Sequence, residues 1–303
     1  MNYSVTVNNI SKSFGKTKAV DNVSFNVEKG ELFGFIGPDG AGKTTLFRML
    51  TTLLLPDGGE AVVDGFDIVK DFKKIRGAVG YMPGRFSLYQ DLSVEENLKF
   101  FARVFGTTIE ANYELIKDIY IFLEPFRKRR AGKLSGGMKQ KLALCCALIH
   151  KPSVLFLDEP TTGVDPVSRN EFWEMLGKLK EGGITILVST PYMDEASKCD
   201  RIVLMQKGKI LDIGFLNDII SKYEKPVYAL RAGDMHKLIL ELRADSNTDS
   251  VYSFGDYLHY TDRRGEISED ELKKILISKE HEDIILKRIS PGIEDCFMSL
   301  MNK

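Results

Sequence analysis

Short, largely apolar runs at 32–36, 154–157, 184–189 and 202–205 are separated by longer amphipathic stretches. Runs of that length and continuity predict strands buried on both faces of a largely parallel sheet, and the stretches between them predict the covering helices. Segments 3–8 and 23–27 instead alternate in two-residue steps, and with 61–63 they predict an extra antiparallel layer near the N-terminus. From Leu92 to Ile149 the pattern turns helical, with helices expected at 94–105 and 109–123, which reads as a helical insertion in an α/β chain. A polar break at Lys222 to Pro226 precedes short strands at 227–231, 251–254 and 257–261 that alternate with helices. Ser268 and Glu271 form an S-x-x-E capping box ahead of LKKIL, so a helix is expected to start there. The expected organisation is a domain over 1–222, with a helical subdomain over about 92–150, followed by a small α+β domain over 223–303 with an accessory, regulatory or dimerisation role.

Composition narrows the class without naming a function. Among 303 residues, 43% are hydrophobic and 28% charged, which excludes disordered and fibrous chains and is the composition of a globular protein of about two domains. Forty-two Lys and Arg against 43 Asp and Glu leave a net charge of −1, so no broad basic field exists to hold nucleic acid or an anionic membrane. No nucleic-acid partner is expected. The longest apolar run, Leu142 to Ile149, is far short of the roughly 18 residues that cross a bilayer. The N-terminal segment lacks the continuous apolar core of a signal peptide, and the four cysteines (Cys145, Cys146, Cys199, Cys296) show no paired spacing. Both features point to the reducing cytosol.

Three segments carry candidate chemistry. The stretch Gly37-Pro38-Asp39-Gly40-Ala41-Gly42-Lys43-Thr44 fits G-x-x-x-x-G-K-[ST] and lies between the strand LFGFI and a helix expected over 45–54. In that setting successive backbone N–H groups close around phosphates at the positive end of a helix, Lys43 reaches the β and γ phosphates, and the Thr44 hydroxyl ligates Mg²⁺. Thr45 opens the helix and completes the expected nucleotide-binding set. Farther on, VLFLDEP sets Asp158 and Glu159 at the end of a buried strand. Asp158 suits the Mg²⁺ ion, and Glu159 suits a catalytic role as the residue that orients or deprotonates the attacking water. Between these segments, Leu134-Ser135-Gly136-Gly137-Met138 opens a helix with a second nest of N–H groups. One nucleotide per chain does not need two phosphate sites, so the second would serve a nucleotide held by another subunit in a head-to-tail dimer.

With these segments in this order, residues 1 to about 215 resemble the ATP-binding subunit of an ABC transporter. LSGGM is similar to the family's signature, TTGVDP with Asp165 to its D-loop, and Phe14 in KSFGKTKAVDNVSF to its adenine-stacking aromatic. A lone Phe beside a strand is also a common core residue, so Phe14 keeps two readings. VGYMPGRFSLYQDLSVEENL, STPYMDEA and the appended domain ending IEDCFMSLM resemble the drug- and multidrug-export branch, whose permeases are separate polypeptides. The resemblance implies a P-loop NTPase fold of ABC type, ATP and Mg²⁺ as cofactors, and a second ATP-binding subunit and integral membrane permeases as partners. It also implies a cytoplasmic location, peripheral on the inner face of the cell membrane. A largely non-catalytic ATP-binding partner in a heterodimer, and a soluble ABC ATPase outside transport, are the alternatives.

Two positions depart from the family pattern. Gly84 stands after GYMP where the family has a Gln near the attacking water, and Pro191 stands after ILVST where it has a His on the γ-phosphate. No His occurs between His150 and His236, and Gln90 occupies the variable position before DLSVEENL. The binding parts are complete, so the expectation is a site that holds ATP well and hydrolyses it slowly.

Overall fold

A computed structural model describes residues 3–84 and 88–301, which divide into two compact units, Met1–Leu216 and Asn217–Lys303. The first begins with the hairpin β1 (Tyr3–Phe14) and β2 (Thr17–Glu28), then β3 (Leu32–Ile36), α1 (Lys43–Leu50), β4 (Gly58–Val63), β5 (Phe66–Asp67), α2 (Phe72–Ala78) and β6 (Val79–Met82). The helical segment α3 (Val94–Val104), α4 (Tyr113–Tyr120) and α5 (Gly136–Leu148) follows. The chain then returns through β7 (Val154–Asp158), α6 (Pro166–Glu181), β8 (Thr185–Thr190), β9 (Arg201–Gln206) and β10 (Lys209–Gly214), and α7 (Leu216–Ser221) starts on the last residue of this unit and runs into the second.

The central sheet has the order β10-β9-β3-β8-β7-β6, parallel except for the antiparallel edge strand β10. Every residue of β3, β7 and β8 is buried, as continuous apolar runs covered on both faces should be. The antiparallel layer, β2-β1-β4-β5, matches the expected one. Helix α1 sits between this layer and the central sheet, where Phe47 meets Phe35 and Phe156 edge-on at 5.3 and 5.6 Å. The apolar run Leu142 to Ile149 is buried along its length on α5 and its C-terminal end, and no helix among the described residues is long and apolar enough to cross a membrane.

The helix expected over 109–123 is shorter. A 3₁₀ turn at Glu110–Asn112 precedes α4, because the Asn112 amide donates to Thr107 Oγ1 and to the Ile149 carbonyl rather than continuing a regular helix. Helix α1 also ends before the expected position 54, with Thr52 in the left-handed region at φ 62°.

The second unit runs β11 (Val227–Arg231), α8 (Met235–Ala244), β12 (Thr248–Phe254), β13 (Tyr257–Asp262), α9 (Glu269–Ser278), β14 (Ile285–Ile289) and α10 (Ile293–Met301). Its antiparallel sheet has the order β12-β13-β11-β14, a split βαβ arrangement of ferredoxin-like type. Ser268 caps α9 by accepting from Glu271 N, but the Glu271 carboxylate turns to Arg264 at 3.6 Å, so the reciprocal half of the expected capping box is replaced by an ion pair.

Candidate nucleotide site

The loop between β3 and α1 is one that only glycine can make. A Cβ on Gly37 would lie 2.2 Å from the Met205 carbonyl oxygen and one on Gly42 would lie 2.2 Å from that of Ala19, with Gly42 at φ 103°. Backbone bonds hold the loop in place: Ala41 N donates to Pro38 O, Gly37 N to Thr190 O, and Gly208 N to Ala41 O. Pro38, Asp39 and Gly40 are exposed at its tip, and Thr45 follows in the first turn of α1. Lys43 is folded back over the loop, its Nζ 2.7 Å from Gly37 O, 3.0 Å from Pro38 O and 3.4 Å from Glu159 Oε1. A buried ammonium held by two neutral carbonyls and one carboxylate is placed to exchange those partners for a polyanion.

Both carboxylates stand at the end of β7. Asp158 is buried and accepts hydrogen bonds from Thr44 Oγ1 at 3.1 Å and Ser189 Oγ at 2.6 Å. Glu159 lies in the left-handed region at φ 51°, fixed there by its N–H, which donates to the Ser189 carbonyl and hydroxyl. A left-handed Glu stores strain of about 1–3 kcal/mol and is held by the strands around it. Ser189 is the site residue that motif reading missed. Its only signal was its place at the end of a strand, since parallel pairing with β7 brings it opposite Asp158.

Phe14 is no core residue. It is 53% exposed, has Lys12 Nζ 5.9 Å from its ring centre, and lines a cavity of about 380 Å³ together with Lys43, Thr44 and Glu159. Gly40, Ala41, Gly42 and Thr45 line the same cavity. Ser135, Gly136, Gly137 and Asp165 do not. Ser135 caps α5 by accepting from Met138 N, and Gly136 is exposed beside it. Gly137 packs so tightly on α6 that a Cβ would come 2.7 Å from Ser168 Oγ. Asp165 caps α6, and the Ser168 N–H it accepts holds its carboxyl below the usual carboxylate range.

Gly84 and Pro191 flank this cluster. A Cβ at Gly84 would lie 2.9 Å from the Asp158 carbonyl oxygen. Residues 85–87 lie outside the described residues, and the backbone of Gln90 is tied to the segment before α5, its carbonyl accepting from Gly132 N. Pro191 follows β8 in a turn set by the buried Glu195, whose carboxylate accepts from Thr161 and Thr190 hydroxyls and pairs with Arg169 Nε at 3.1 Å. One buried carboxylate thus ties the Pro191 turn to the segment leading into α6.

Residues 20–162 match the ABC transporter family. The chain is 45% identical over 212 residues to the probable multidrug ABC transporter ATP-binding protein YbhF of Escherichia coli, covering 69% of this chain and 37% of that protein. It therefore spans well under half the length of that relative. It is 37% identical over 217 residues to the linearmycin resistance ATP-binding protein LnrL of Bacillus subtilis, covering 71% of this chain and 70% of LnrL. A solved ATP-binding subunit of an ABC transporter superposes with a TM-score of 0.66 at 28% identity, over 72% of this chain and 92% of the other. The chain belongs to the ABC transporter family, as one of its ATP-binding proteins.

Proposed function

We propose that this chain is the ATP-hydrolysing subunit of an exporter and drives a substrate through separate membrane permeases, bound to them at the cytoplasmic face. The observation that carries this reading is the convergence of Lys43, Thr44 and Glu159 on one cavity edged by an exposed Phe14, with Asp158 hydrogen-bonded to Thr44. The loop fits a triphosphate, because Gly40, Ala41 and Gly42 line the cavity together with Lys43, a cation held over the loop by neutral carbonyls that a phosphate can replace. Bound Mg-ATP would supply the phosphoanhydride bond whose cleavage powers transport. Lys43 would hold the β and γ phosphates, Thr44 and Asp158 the metal ion, and Glu159 would orient or deprotonate water, while Phe14 stacks on adenine. Ser135, Gly136, Gly137 and Asp165, which stand apart from this cavity, suit a nucleotide bound by a second ATP-binding subunit.

Gly84 and Pro191 favour a further feature, slow turnover at this site. Pro191 has neither a side-chain donor nor an N–H, so one contact to the γ-phosphate is missing. In a heterodimer the intact LSGGM would complete the partner's site while this one lags. The unit Asn217–Lys303 would act as an accessory, regulatory or dimerisation element. Lys43→Ala tests the core of the reading. It should abolish ATP binding by calorimetry while the fold is kept, and unchanged affinity would overturn the assignment.

A further inference from the structure

Strands β9 and β10 pair with Gln206 opposite Lys209, leaving Lys207 and Gly208 as a two-residue turn. Both are left-handed, at φ 48° and 78°. Turns of this kind favour Asn, Asp or Gly at the first central position, so a lysine there opposes local preference. The turn is wedged beside the phosphate loop. Gly208 N donates to Ala41 O at 3.0 Å, Gly208 O accepts from Asp21 N at 2.8 Å, and a Cβ on Gly208 would meet Ala19 O at 2.9 Å. Lys207 is exposed and lines the cavity that Lys43, Thr44 and Phe14 share. Charge distribution around the turn is uneven. Lys18 and Lys209 both pair with Asp21, at 3.1 and 3.6 Å, whereas Lys207 has no ion pair among the described residues.

We propose that Lys207 is a further nucleotide-binding residue, a second cation that meets the phosphates of the bound nucleotide alongside Lys43, carried on a turn rather than folded into the loop. Three observations carry it together: the left-handed lysine, the backbone bond that anchors its turn to Ala41, and its place in the cavity lining with no ion pair among the described residues. The inference rests on the ATP reading above.

The test is calorimetry of Mg-ATP and of adenosine on the full chain, for the parent, Lys207→Asn, Lys207→Arg and Lys43→Ala, with melting curves without ligand. Asn suits the left-handed turn, so Lys207→Asn should melt at or slightly above the parent temperature while ATP affinity falls roughly 3- to 10-fold. That loss should shrink in high salt, adenosine affinity should not change, and Lys207→Arg should bind like the parent. If the parent binds ATP and Lys207→Asn binds it equally well, this inference alone falls. A loss for adenosine equal to that for ATP would also overturn it, by placing the lysine away from the phosphates. A parent without ATP affinity would overturn the underlying reading and this inference with it.

Discussion

Restoring the two departing side chains should give opposite results at the two positions. At Gly84 the first atom of any side chain would approach the Asp158 carbonyl to 2.9 Å, and contacts under 3.0 Å are essentially absent from real Cβ atoms. The end of β7 must therefore retreat by roughly half an ångström, an overpacking that costs about 1–3 kcal/mol. For a unit the size of Met1–Leu216 that lowers the melting temperature by about 2–12 °C. The strand end that moves also carries Asp158 and the left-handed Glu159, so Gly84→Gln should slow hydrolysis rather than speed it. Pro191 sits in a turn whose frame is Thr190, Glu195 and Tyr192 N, so a His there keeps that frame and loses only the ring's rigidity, about 0.4–1 kcal/mol. Recovering one donor to a developing charge should raise the rate on the order of 10²-fold. Phosphate release at saturating Mg-ATP and melting curves on the purified chain separate these effects. A Gly84→Gln chain that melts with the parent would refute the close-packing argument. A folded Pro191→His chain with the parent's rate would show that turnover is limited elsewhere, a missing partner subunit being the first candidate.

Phe14→Ala should weaken ATP binding by about 1–3 kcal/mol with no change in melting, because the ring is half exposed and packs no core; a drop in melting temperature would make it structural. Glu159→Gln should retain ATP and favour a dimer by light scattering, since the amide keeps the size and loses the base, and dimerisation equal to the parent's would remove that role. In the second unit, the Arg264 guanidinium beside Asp262, with the Tyr260 hydroxyl, holds the Asp262 carboxyl down at about 2. A depressed carboxylate contributes stability above its unfolded value of 3.8 and loses it as pH falls toward 2, so acid unfolding should be steep in that window and flatter in Asp262→Asn.

The elements and their order follow from local pattern. Continuous apolar runs mark β3, β7 and β8, and Gly37 to Thr44 reads as a phosphate loop because glycine spacing and the strand before it are both local facts. Asp158 and Glu159 were legible for the same reason, as adjacent carboxylates at the end of an apolar run. Phe14 was not decidable from sequence, because an aromatic beside a strand packs or protrudes according to what the fold lays over it, and here it protrudes. The Ser189 hydroxyl on Asp158, the Glu195 clamp, the Lys207 turn against Ala41 and the 2.9 Å approach at Gly84 all join segments that are distant in sequence. Sequence determined which residues could bind phosphate and metal, since that is set by residue type and spacing along one short segment. Only the tertiary structure decided which backbone oxygens and side chains close around them, because β-strand pairing brings those groups together and no local pattern encodes their separation.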